Sequence, residues 1–104
     1  MKRPEIVNRI RDILHRVAPD TEAILYGSEA RGDARPDSDV DVLILMDKER
    51  VSLEDESRIT DGLYEIELET GVMINPKLIT RKQWDLASKF TLFYKNVMRE
   101  GIAL

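Results

Sequence analysis

Cysteine is absent from this 104-residue chain, which excludes both a disulfide framework and a thiolate metal site. Long apolar runs are missing too: none approaches the roughly eighteen residues of a membrane span. The N-terminus has no signal-peptide core, so a cytoplasmic protein without membrane contact is expected. Positive charge is not in excess. A net charge of −4 argues against a protein built to coat nucleic acid, and no direct nucleic-acid binding is expected. Histidine occurs once, at His15, off the apolar stripe of its segment, where it reads as a solvent-facing position. Internal repeats, low-complexity tracts and linkers are lacking. One domain over residues 1–104 is therefore expected, with room for a modest core but not for two.

What is present is an ordinary globular composition, 42% hydrophobic and 35% charged, with the charge unevenly placed. Between Asp47 and Glu69 nine acids stand against three bases, a net of −6. From Lys77 onward six bases stand against two acids, a net of +4. Solvated helix faces account for such runs; a polarised surface that orients a protein partner or a polyanionic substrate is the sharper reading.

The periodicity predicts alternating helices and strands. Pro4 suits a first helical turn, and Ile6, Ile10, Ile13, Leu14 and Val17 recur at helical spacing until Ala18-Pro19 ends the helix. Thr21 to Tyr26 reads as a buried strand. Ser28 to Arg31 is a short helical turn, capped by Ser28 and closed by Gly32. Asp33 to Ser38 is loop. Val40 to Met46 is apolar on both faces, as in a central strand covered from both sides. Ser52 and Asp55 form a capping box for a long helix with Ile59, Leu63 and Ile66 on its buried stripe and Gly71 as its stop. Val72 to Ile79 is a third strand, confined by Pro76 to an edge or an interruption. Thr80 with Gln83 opens a helical tail, read as two short helices, in which Trp84, Phe90 and Phe93 are core residues.

The chemistry concentrates between Tyr26 and Met46. Asp39 and Asp41 lie two apart at the mouth of a strand, so they share a face about 6.5–7 Å apart. Paired carboxylates repel unless a cation lies between them, and oxygen-only ligands suit a hard ion such as Mg²⁺. Gly27-Ser28 offers steric clearance and backbone N–H groups for a phosphate. A calcium loop is the rival for Asp37-Ser38-Asp39-Val40-Asp41, but Val42 replaces its turn glycine and Lys48 its closing glutamate. A turn of aspartates merely opening a strand does not explain the Gly-Ser upstream.

Gly27-Ser28, ten intervening residues, then Asp39-x-Asp41 resembles the signature of the DNA polymerase β-like nucleotidyltransferases. With Arg31-Gly32 and Ser38-Asp39-Val40-Asp41, the run looks like the minimal nucleotidyltransferases of prokaryotes, single-domain antitoxins often paired with a HEPN-domain toxin. The resemblance implies an α/β fold, a small mixed sheet with helices packed on it. It implies Mg²⁺-dependent transfer of a nucleoside monophosphate, AMP from ATP, to an acceptor such as the HEPN partner. Asp39 and Asp41 would be the catalytic metal ligands, and Gly27, Ser28 and Arg31 would hold the triphosphate. Arg31 has a competing role as an ion-pair partner of Glu29 or Asp33.

The same family usually adds a third carboxylate from a neighbouring strand. The matching run here is Gly71-Val72-Met73-Ile74-Asn75, which ends on asparagine. Its amide can offer a neutral oxygen to a metal but cannot serve as a general base. A second reading follows, in which a catalytically weakened module neutralises its partner by contact alone. A third, resembling the aminoglycoside nucleotidyltransferases, lacks a visible substrate domain.

Overall fold

β2 (Val40–Met46) is the strand around which the fold is laid, and its sequence explains why: all its residues but Asp41 are buried. The computed structural model describes residues 1–87 and 91–104, so the expected core residue Phe90 lies outside the described residues. Chain order among them is α1 (Pro4–Val17), β1 (Thr21–Tyr26), α2 (Gly27–Arg31), β2, α3 (Leu53–Thr70), β3 (Ile74–Thr80), α4 (Arg81–Ala87), α5 (Leu92–Glu100) and β4 (Ile102–Ala103). The strands form one sheet in the order β3-β2-β1-β4. β1 runs antiparallel to β2 and to β4, while β3 runs parallel to β2, so the expected small mixed α/β sheet is what forms.

Alternation along β2 divides the core in two. Val40, Val42, Ile44 and Met46 face α1 and α3, packing with Val7, Ile10, Leu14, Ile59, Leu63 and Ile66. Leu43 and Leu45 face the other way, against Trp84 of α4 and Val97 of α5. Burying one such aliphatic side chain stabilises the fold by about 1.5–3 kcal/mol, enough for a three-layer arrangement on a short chain. Asp39 and Asp41 have the parity of Leu43 and Leu45. They emerge where the α4/α5 face of the sheet becomes open to solvent.

Local signals set the element ends. Ser52 and Asp55 exchange hydrogen bonds with each other's backbone N–H at 3.1 Å each, completing the capping box. Gly71 ends α3 at φ +74°. The Thr80–Gln83 pair does the same for α4, again at 3.1 Å each way. Thr91 caps α5 by accepting from the Tyr94 N–H.

Two expectations need correction, and one short strand had no expectation behind it. Ser28 does not cap α2: the helix begins at Gly27, Ser28 sits inside its first turn, and no side-chain cap is made. The third strand starts at Ile74, not Val72, because the first residues after Gly71 complete the turn out of α3. There the Val72 N–H donates to Thr70 Oγ1 (3.2 Å) and the Ile74 N–H to Glu67 Oε1 (2.9 Å). β4 has no counterpart in the sequence reading, since two residues are too few to show a period. Pro76 does lie on the edge strand β3, as its missing N–H requires.

Candidate active site

Three strands deliver the site. Tyr26 at the end of β1 pairs with Asp41 on β2, and Asp41 pairs with Asn75 on β3. Strand pairing therefore places Asn75 beside Asp41 on one sheet face. The Asn75 amide nitrogen donates to Asp39 Oδ2 at 3.0 Å and to Asp41 Oδ1 at 3.3 Å. Two carboxylates thus converge on one polar group, which offsets the repulsion their spacing creates. Among the described residues no cluster of three or more His, Cys, Asp or Glu side chains is arranged to hold a metal. The donor set is two carboxylates and one amide.

That set fits a hard cation. Both carboxylates aim at the same small volume and every available ligand atom is oxygen once the amide presents Oδ1. It is one charge poorer than three carboxylates would be, which weakens the hold on a divalent ion.

Gly27 borders the carboxylates on the β1 side. Its φ is +76°, and a Cβ built there would lie 2.5 Å from Asp41 Oδ2. Position 27 must therefore be glycine for two reasons, backbone conformation and clearance for Asp41. Gly27 and Ser28 open α2, whose first N–H groups have no intrahelical acceptor and can meet an anion. The Tyr26 hydroxyl has a raised pKa, first because of burial and then because of the Asp41 charge, so it stays a neutral phenol beside the site.

α2 is fastened from below by Glu29, which sequence reasoning named only as an ion-pair partner for Arg31. Glu29 is fully buried and accepts from the Lys2 N–H (2.6 Å), the Arg3 N–H (2.9 Å) and Arg3 Nε (2.6 Å). Burial alone would push its carboxyl pKa up; the Arg3 side chain and the two backbone amides outweigh this and hold it below the ordinary value. Such a buried charge is tolerated because it is paired and hydrogen-bonded. Its partners lie 26 and 27 residues away in sequence, beyond the reach of any local pattern.

Arg31 bonds neither Glu29 nor the aspartate pair. Its Nε donates to Asp33 Oδ2 at 3.2 Å, and its Nη1 to Glu100 Oε1 and Oε2 at 3.2 and 3.3 Å. Asp33 first, then Glu100, raise its pKa. Glu100 ends α5, so this contact ties the far end of the chain to the signature helix. His15 points its Nε2 at the Leu104 carbonyl, 3.2 Å away and remote in sequence and fold from the aspartates. Trp84 is buried at 4% exposure, and Phe93 packs against it edge-on, which accords with core roles.

Comparison with known proteins identifies the family and the fold. Residues 7–104 match the family described as the nucleotidyltransferase domain. A relative from Methanocaldococcus jannaschii, provisionally named a protein adenylyltransferase, is 33% identical over 81 residues, 78% of this chain and 74% of the relative. Among solved structures, one described provisionally as a minimal nucleotidyltransferase superposes with a TM-score of 0.64 at 26% identity, covering 100% of this chain and 97% of the other. The fold also matches a toxin–antitoxin structure determined with AMP-PNP, at TM-score 0.60 and 18% identity, over 92% of this chain and 69% of that one. Matched along nearly its whole length, this chain belongs to the nucleotidyltransferase domain family.

Proposed function

We propose that this nucleotidyltransferase moves AMP from ATP, with Mg²⁺, onto a protein acceptor, a HEPN-domain toxin that it thereby neutralises. The observation that carries the reading is the convergence of Asp39 and Asp41 beside Gly27, with Asn75 bonded to both. The adenylyltransferase name of the archaeal relative and the toxin–antitoxin complex with AMP-PNP supply the choice of AMP and of a toxin.

In this mechanism Asp39, Asp41 and the Asn75 amide oxygen would hold the ion, which would supply positive charge against the phosphates. The N–H groups at Gly27 and Ser28 bind the phosphate tail, and Arg31 swings from Glu100 to a phosphate oxygen. The acceptor oxygen bonds to the α-phosphorus while the bond to the bridging oxygen breaks, and that electron pair leaves with pyrophosphate. The acceptor proton passes to solvent, since Asn75 has no basic oxygen to receive it. The chain supplies positioning and electrostatics, which is most of what phosphoryl chemistry asks of a protein.

One observation favours the contact-only antitoxin. Asn75 occupies the place of a carboxylate and satisfies both aspartates with its own N–H groups, an arrangement stable without chemistry.

The deciding experiment is Mg²⁺-dependent transfer of α-phosphate-labelled ATP to the HEPN-domain partner, with Asp39→Asn/Asp41→Asn as control. Label that disappears in the double variant establishes the transferase. Absence of label, with partner binding unchanged in the double variant, leaves the binding antitoxin.

A further inference from the structure

The sheet face that carries Asp39, Asp41 and Asn75 continues along β3. Lys77 and Ile79 follow Asn75 on that face, and the parallel register sets Lys77 beside Leu43 as it sets Asn75 beside Asp41. Lys77 is thus the next side chain along, about 6.5–7 Å from Asn75. Lys77, Ile79, Gln83, Trp84, Thr91 and Phe93 line a groove of about 360 Å³ between β3 and the tail helices. Lys77 Nζ sits 4.3 Å from the Phe93 ring centre, a cation–π contact. Phe93 in turn stands edge-on to Tyr26 at 5.2 Å, so the groove wall reaches back to the β1 side of the site. Leu86 and Leu92, the sequence neighbours of the groove residues Ala87 and Thr91, are 66% and 73% exposed.

We infer that this groove docks the acceptor protein, seating an apolar side chain flanked by acidic residues so that the acceptor's nucleophile reaches Asp39 and Asp41; the inference rests on the transferase reading above. Position is the first reason. α3 also exposes Tyr64 and Leu68, but α3 packs on the opposite face of the sheet, from which no acceptor group could reach the aspartates. Direction is the second. In the strand order β3-β2-β1, Gly27 lies on one side of the aspartates and Asn75 on the other. With the phosphate tail at Gly27–Ser28, pyrophosphate leaves on the β1 side, and an in-line nucleophile must arrive from the β3 side, where the groove lies. Charge is the third. The chain from Lys77 onward carries a net +4, and Lys77 places a cation within the groove, which suits an acidic segment.

The test is calorimetric binding of the full chain to the HEPN-domain partner without ATP, for wild type, Leu92→Glu, Lys77→Glu, the milder Leu92→Ala and Lys77→Gln, and Leu68→Glu on α3. Thermal melts accompany each variant to show that it folds. The groove variants should weaken binding, by about tenfold or more for the glutamates, whereas Leu68→Glu should stay within about twofold. Added salt should erode wild-type binding more than that of Lys77→Gln. Groove variants that bind like wild type, a Leu68→Glu loss equal to theirs, or a wild type that does not bind the partner overturns the proposal. Labelled transfer measured on the same set separates the two readings. Transfer that persists in groove variants with unchanged acceptor KM removes the groove and leaves the transferase; partner binding lost in those variants, with no transfer by wild type either, keeps the surface and removes the chemistry.

Discussion

Asp41 Oδ2 lies 2.5 Å from the point where a side chain on Gly27 would begin. The glycine of the signature, at the start of α2, and its second aspartate, on β2, are thus also a sterically matched pair, since only a residue without a side chain leaves room for the carboxylate. Gly27→Ala should cost stability because φ is +76°, about 1–2 kcal/mol, and should also displace the Asp41 carboxylate. Gly71→Ala is the matched comparison: its φ is +74°, yet nothing lies within 4 Å of the added carbon. Both variants should melt earlier in urea, but only Gly27→Ala should lose Mg²⁺-dependent transfer. Equal transfer in the two would remove the steric role of Gly27.

Asn75→Asp restores a third carboxylate at the position the register pairs with Asp41. It exchanges two donated hydrogen bonds for like-charge repulsion, so without metal the variant should be less stable by roughly 1–3 kcal/mol. Mg²⁺ should restore that loss and bind about tenfold more tightly than in wild type. Calorimetric Mg²⁺ titration and urea unfolding with and without the ion check it. A variant indifferent to Mg²⁺ would show that the three side chains do not act as one site.

Glu100→Gln should free Arg31 Nη1 from the carboxylate that competes with phosphate for it, leaving Asp33 on Nε. The expected result is a several-fold lower KM for ATP with kcat little changed, since the freed guanidinium acts on binding. An unchanged or higher KM in steady-state kinetics would assign the Arg31–Glu100 pair to holding α5 in place.

Asp55 predicts an acid limb of stability. It is buried, and its carboxyl is held well below the ordinary 3.8 by Lys48 first and then by the Ser52 N–H, with Arg58 adding to them and burial opposing. A depressed folded-state pKa stabilises the fold above the unfolded-state pKa, and that contribution fades as pH falls through 3.8 toward the folded value. Asp55→Asn should therefore lower the melting temperature at pH 7, and that difference should begin to shrink below about pH 4 and go on shrinking as the pH falls further. A difference that persists undiminished at low pH would mean that the capping geometry, not the charge, carries the effect.

The alternation of β2, the capping boxes at Ser52 and Thr80 and the glycine stop of α3 were all legible, because each is written within a few residues. So was Asp39-x-Asp41, whose shared face follows from strand geometry alone. Asn75 was legible only as a departure from a family pattern, and its contact with both aspartates depends on which strand β3 joins. Ser28 misled because capping residues and first-turn residues differ by one position, and a glycine with positive φ shifted the start.

Local sequence, then, determined the elements, their apolar faces and the two aspartates, since each depends on periods of 2 or 3.6 residues and on neighbours along the chain. Tertiary structure alone decided that Asn75 would meet those aspartates, that Glu29 would be buried on Arg3, that Arg31 would be bound by Glu100 and that Lys77 would line a groove beside the site. Each of these contacts joins residues far apart in sequence, and only the strand order and the packing of helices on opposite sheet faces bring them within a few ångströms.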